Sequence, residues 1–261
     1  MHFIQSLHNS QLKHLSKLLV SAKARRAAAQ TVLEGIHLTE AYLQAGLLPQ
    51  AVFVPEGRLA HAETAALLAR LPENRITVVG GAALGKISSL HQADDVMALI
   101  ALPPQQAAPA QGRFVLLDRV QDPGNIGTVL RSAAAAGVEH ILLSTGCADV
   151  WSPKVLRAGM GAHFVLKLYE QVDLAAWCAA YCGRVLAAAL AAERCCGLYE
   201  ADLTGETAWV FGNEGGGIAE ELLETADMRI RIPMAAGVES LNVAMAATVC
   251  LFEQMRQNLP K

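Results

Sequence analysis

Apolar positions along the chain follow two rhythms, and the change from one to the other lays out the predicted elements. Leu12, Leu15, Leu18 and Leu19 recur at the spacing of one helical face, which predicts a helix over Ser10–Ala29. A second helix is predicted over Val32–Ala45, stopped by Gly46 and Pro49. Short apolar runs then alternate with Ala/Leu-rich stretches. Ala51–Val54 reads as a strand, Leu59–Leu71 as a helix, Ile76–Val79 as a strand closed by Gly80 and Gly81, Ala82–Leu90 as a short helix and Val96–Leu102 as a strand. Together these make a small α/β unit. The segment LPPQQAAPAQG, Leu102–Gly112, is uncharged, Pro-rich and aperiodic, which predicts an exposed linker. The expected domains are therefore 1–104 and 113–261, joined by 105–112.

The second half keeps alternating. Strands are predicted at Phe114–Leu117, Glu139–Leu143, Phe164–Leu168, Arg184–Leu190, Trp209–Phe211 and Met228–Ile232. Helices are predicted at Thr128–Ala136, Ser152–Ala158 and Leu174–Tyr181, and a long, largely buried one at Ser240–Gln257. Such a series predicts an α/β fold with a mostly parallel sheet covered by helices. Two of the strands run into turn-rich patches, Gly212–Gly217 and Pro233–Gly237. Loops leaving the carboxyl ends of parallel strands carry binding sites, and glycine lets backbone approach a ligand closely.

Three stretches carry a resemblance. DPGNIGTVLRSA with Asn125, Gly127 and Arg131, then FGNEGGGI (Phe211–Ile218), then IPMAAGVESLNVAMAA (Ile232–Ala247), look like the three ordered motifs of the SpoU/TrmH family of RNA ribose 2′-O-methyltransferases. VLEGIHLTEAYLQAG (Val32–Gly46) resembles the start of the substrate-binding domain, similar to ribosomal protein L30e, that often precedes the catalytic domain. The resemblance implies a SPOUT-type catalytic domain whose C-terminal segment threads into a trefoil knot. It also implies S-adenosylmethionine as methyl donor, structured rRNA or tRNA as substrate, and a homodimer formed through the C-terminal domain.

Site residues follow from the same likeness. Arg131, Asn125, Glu214 and Asn242 are the expected catalytic set, and backbone atoms of Leu190, Ala191, Gly212, Ile232, Met234 and Leu241 are expected to hold the donor's adenosine. Arg131 either pairs with a phosphate or with Asp118 or Glu214, or faces the reacting ribose hydroxyl. A guanidinium stays protonated, so in the second case its role is to stabilise a developing alkoxide rather than to act as a base. Glu214 orients Arg131 or Asn125, and Asn242 bonds either backbone or substrate phosphate. Ala244 and Gly159 stand where many relatives carry hydroxyl residues. That departure keeps a catalytically silent RNA-binding ribosome-assembly factor open as an alternative, alongside base methylation by the same fold.

Charge and cysteine content refine the picture. The formal net charge is −3, yet Met1–Gln30 holds Lys13, Lys17, Lys23, Arg25 and Arg26 and no acid. These five, with Lys154 and Arg157 one helical turn apart, are the candidate RNA-phosphate contacts. The six cysteines form no C-x-x-C and no metal-ligand spacing with histidine, so neither a zinc site nor a redox motif is expected. Neither a signal segment nor an apolar run long enough to span a bilayer is read, which points to a cytoplasmic protein without a membrane partner.

Overall fold

The computed structural model describes residues 2–6, 8–89, 95–189 and 195–259. The chain divides into two compact units, Met1–Pro104 with Trp151–Phe164, and Gln105–Val150 with Val165–Lys261.

In chain order the first unit runs β1 (His2–Ile4), α1 (Ser10–Val20), α2 (Ala22–Ala28), β2 (Gln30–Glu34), α3 (Ile36–Gln44), β3 (Ala51–Pro55), α4 (Ala62–Leu68), β4 (Ile76–Val79), α5 (Ala83–Ile87) and β5 (Met97–Ala101). Its sheet has the order β1-β4-β3-β5-β2, with β5 antiparallel to both neighbours. The predicted first helix is in fact two. Ser21 leaves the helical region and its side chain caps α2 through the Ala24 N–H, so the Leu12–Leu19 stripe ends there. The predicted second helix loses its first residues to β2. Val32 and Leu33 are buried within a strand that pairs with β5, and Gly35 at φ 96° turns the chain into α3.

Arg25, expected at the surface, is only 4% exposed and gives its guanidinium to the Leu18 and Leu19 carbonyls at the end of α1. It thereby satisfies acceptors that the helix itself leaves open. Glu34 is another buried charge. It accepts hydrogen bonds from Ser88, from Ser89 and, at 3.0 Å, from Arg157.

The second unit contains β6 (Phe114–Leu117), α6 (Pro123–Ala135) and β7 (His140–Ser144). Helix α7 (Pro153–Gly159) follows and belongs to the first unit, after which come β8 (Lys167–Val172), α8 (Leu174–Ala180), β9 (Arg184–Ala188), β10 (Cys195–Gly197), β11 (Thr207–Phe211), α9 (Glu220–Thr225), β12 (Met228–Arg231) and α10 (Val243–Gln257). All neighbours in its seven-stranded sheet, β10-β12-β9-β11-β6-β7-β8, are parallel. Phe114–Leu117 and Ala208–Phe211 are buried on both faces, as continuous apolar runs in a parallel sheet require. The sheet therefore matches the mostly parallel α/β architecture expected.

Helix α6 begins five residues before its predicted start. Asp122 caps it, accepting the Asn125 N–H at 2.8 Å, and Pro123 occupies the first turn, where its missing N–H costs nothing. Asn125 and Gly127 consequently lie within the first turns of a helix instead of a loop. Part of the expected linker is anchored: Trp177 Nε1 donates to the Pro109 carbonyl, and Tyr181 Oη to that of Gly112. Among the described residues no helix is long and apolar enough to cross a membrane.

Candidate active site

Because β6, β11, β9 and β12 are adjacent and parallel, their carboxyl ends bring the loops 118–122, 212–219 and 232–242 to one edge of the sheet. The first residues of α6 and α10 open at that edge. A cavity of about 510 Å³ lies between the ends of β9, β11 and β12 and the start of α10. Gly212, Ile232, Met234 and Leu241, four of the residues expected to hold an adenosine, line it, together with Ala188 and Ala189. Leu190 and Ala191 lie outside the described residues.

One rim of the cavity is a hydrogen-bonded chain through all three motifs. Asn125 Nδ2 donates to Glu214 Oε1 at 2.6 Å, and Asn242 Nδ2 donates to Asn125 Oδ1 at 2.9 Å. Asn242 Oδ1 in turn accepts from the N–H groups of Ala244 (2.9 Å) and Met245 (3.3 Å), capping α10. Glu214 is thus bonded to Asn125, one of the two partners suggested for it. For Asn242 the structure shows the backbone bond, and adds the tie to Asn125.

Two residues outside the expected set hold the glycine loop in place. Asn213 Oδ1 accepts from Gly215 N–H and Gly216 N–H, while its Nδ2 donates to the Arg119 carbonyl at 2.8 Å. Asp118, 3% exposed, accepts from the Ala219 N–H at 2.9 Å and grips Arg119 through both oxygens. The loop is thus pinned at both ends by adjacent residues that follow β6. The Asp118 carboxylate, through the hydrogen bond first and its charge second, pushes the Arg119 guanidinium further up in pKa. Nothing in the motif spacing marks Asp118 or Asn213, since the bonds they make to the loop and to Arg119 join residues 101 and 94 positions apart.

Arg131 is exposed on α6. Asp118, one of its two suggested acidic partners, is taken by Arg119, and Asn125 donates to the other, Glu214. Six residues separate Arg131 from Asn125, so it projects about a third of a turn away from that side chain around the helix. It does not line the cavity. Ala244 is 1% exposed, with its N–H given to Asn242, so the position is a tight one beneath the cap.

The predicted RNA contacts fall into two groups. Lys13, Lys17, Lys23, Arg26 and Lys154 are exposed, whereas Arg25 is buried and Arg157 is bound to Glu34 and Ser89.

The SpoU rRNA methylase family model matches residues 112–252, and a model of the MRM3-like substrate-binding domain matches residues 9–98. The 23S rRNA (guanosine(2553)-2′-O)-methyltransferase RlmP of Bacillus subtilis is 31% identical, over 95% of this chain and 97% of that protein. Human mitochondrial rRNA methyltransferase 3 is 30% identical, over 95% of this chain and 72% of its own length. Among solved structures, an RNA 2′-O ribose methyltransferase superposes with a TM-score of 0.81 at 31% identity, over 98% of each chain. The AviRb methyltransferase of Streptomyces viridochromogenes, solved with AdoMet, gives 0.84 at 25% identity, over 96% of this chain and 98% of that one.

Proposed function

Given that the chain belongs to the SpoU rRNA methylase family, we propose that it transfers a methyl group from S-adenosylmethionine to a ribose 2′-hydroxyl of structured ribosomal or transfer RNA. The observation that carries this reading is the Glu214–Asn125–Asn242 chain beside the cavity, which joins the three motifs at one place. The cavity suits the donor. Its size is that of a small-molecule site, its walls are the backbone of the Gly212–Gly217 loop with Ile232, Met234 and Leu241, and a Cβ at Gly212 would strike the loop. Bound there, S-adenosylmethionine supplies a methyl group on a positively charged sulfur.

The chain's own residues do the rest. Asn125 and Asn242, locked by their mutual bond and by the α10 cap, keep polar groups fixed at the rim where a ribose has to lie, so the cost of alignment is met before substrate arrives. Arg131 contributes fixed positive charge to the 2′-oxygen as it loses its proton to water or to a substrate phosphate. Glu214 sets the orientation of the Asn125 amide.

Residues 1–104 select the RNA and residues 113–261, with a knotted C-terminal segment, carry out transfer. Two copies associate through the C-terminal domain. The exposed Leu241, Met245 and Phe252 on and just before α10 support that association, since they leave apolar surface on an otherwise well-buried helix. The six free thiols accord with a cytoplasmic protein.

Two substitutions at Asn242 separate its roles. Asn242→Ala removes both cap and tether, so thermal stability falls by about 1 kcal/mol and methyl transfer falls with it. Asn242→Asp keeps the cap acceptor but cannot donate to Asn125, so the melting midpoint stays near wild type while kcat drops at least tenfold. Thermal melts and single-turnover rates on the same preparations read both effects. Isothermal titration with S-adenosylmethionine tests the reading as a whole: micromolar binding supports an enzyme, and its absence from a folded protein favours the silent RNA-binding factor.

A further inference from the structure

The first unit carries a second concave site, well away in sequence from the three motifs. A groove of about 440 Å³ lies between α1 and α5, lined by Leu12, Lys13, Ser16, Lys17, Val20, Lys86 and Ile87. Three ammonium groups come from its two walls, Lys13 and Lys17 from α1 and Lys86 from α5, and all three side chains are exposed. The segments that build these walls contain no acid. None occurs from Met1 to Leu33, and none from Asn74 to Ala93. Between the lysines the surface is apolar. Val20 is 80% exposed, a large fraction for an aliphatic side chain, and Ile87 is partly buried beside it. Solvated lysine faces on helices usually carry acids one turn away, which neutralise them. Here neither wall helix supplies that counter-charge, and the three lysines line one cleft.

We propose that this groove binds an RNA phosphodiester segment, with Lys13, Lys17 and Lys86 on consecutive phosphates and the Val20–Ile87 surface under the intervening ribose or an unstacked base. The assignment adds Lys86 to the binding residues and rests on the reading of the chain as an RNA methyltransferase. Polyanion binding by lysines is driven by counterion release, so it has a measurable signature in salt. Each phosphate contact to a single strand contributes roughly 0.7 to the slope of log K against log salt.

The test uses the full chain with labelled total ribosomal RNA and a labelled uridine 20-mer as probes, comparing wild type with Lys13→Gln/Lys17→Gln/Lys86→Gln. The expected result is a salt slope shallower by about 2 and, at 0.15 M salt, affinity weaker on the order of 50-fold. Titration with S-adenosylmethionine and the melting midpoint remain at wild-type values, and in steady-state methylation KM for RNA rises while kcat holds. The single variant Lys86→Gln gives about a third of the slope change, which separates its share from that of the α1 lysines. Unchanged slope and affinity in the triple variant, with methylation intact, overturn the groove assignment and leave the enzyme reading standing. A wild-type protein that binds the donor but neither RNA overturns both.

Discussion

Arg131→Ala lowers kcat by about 10²–10³-fold, the loss typical of removing one preorganised group that stabilises developing negative charge. The structure makes this substitution unusually clean. Arg131 is exposed and takes no part in the Glu214–Asn125–Asn242 chain, so its removal leaves the folded site and the donor cavity unchanged. Donor affinity and the melting midpoint are therefore expected at wild-type values, with the whole effect in the chemical step. Arg131→Lys recovers only part of the rate, because an ammonium lacks the planar fork of donors. Single-turnover kinetics at saturating RNA read the difference. Equal loss of donor binding would instead place Arg131 in the architecture of the pocket.

Gly212→Ala has the opposite signature: the donor binds much more weakly, and transfer at limiting donor falls with it. A Cβ at this position would lie 2.2 Å from the Gly217 carbonyl carbon, 2.3 Å from the Ile218 nitrogen and 2.4 Å from the Gly217 oxygen. All three are backbone atoms, and none yields by a rotamer change. The chain doubles back so tightly here because Asn213 and Gly217 exchange hydrogen bonds at 3.0 and 2.9 Å, with Gly217 at φ 64°. To admit the methyl group the whole loop has to shift into the cavity that it lines. Overpacking of about 1–3 kcal/mol, expressed locally, corresponds to donor affinity weaker by up to about 100-fold. The loop is exposed, so global stability changes little. Calorimetric titration with the donor, beside a thermal melt, separates a lost site from a lost fold.

These two positions also show what is legible in the sequence and what is not. The parallel sheet is readable because Phe114–Leu117 and Trp209–Phe211 are short apolar runs bounded by turn residues, and both are strands in the structure. That a site lies at this edge of the sheet is readable from the glycines that follow β11, while the four residues Gly212, Ile232, Met234 and Leu241, which line one cavity, come from the family likeness. The start of α6 is not readable. Asp-Pro-Gly-Asn reads as a turn, and only the Asp122 cap with Pro123 at the first position makes it a helix. Strand β2 was missed because Val32 to Glu34 are buried in a strand that runs straight into α3, which blurs the change of period. β1 and β10, three residues each, are too short to register a period at all.

Charge alone misplaced two side chains. Arg25 and Arg157 look like phosphate ligands among other basic residues, but one satisfies helix-end carbonyls and the other neutralises buried Glu34. A basic residue's partner is decided by tertiary contact, which periodicity does not encode. The same holds for Asp118 and Asn213, whose clamp on the glycine loop exists only once β6 and β11 lie side by side.

Transfer to a ribose 2′-hydroxyl leaves a product distinct from any methylated base, so identifying the labelled nucleoside decides the reaction. Purified protein and its Arg131→Ala variant are incubated with methyl-labelled S-adenosylmethionine and RNA that lacks the modification, and the RNA is digested to nucleosides. The expected result is label in a 2′-O-methylnucleoside with wild type and its near-absence with the variant. Label on a base contradicts it, as does a folded wild-type protein that neither binds the donor nor transfers its methyl group.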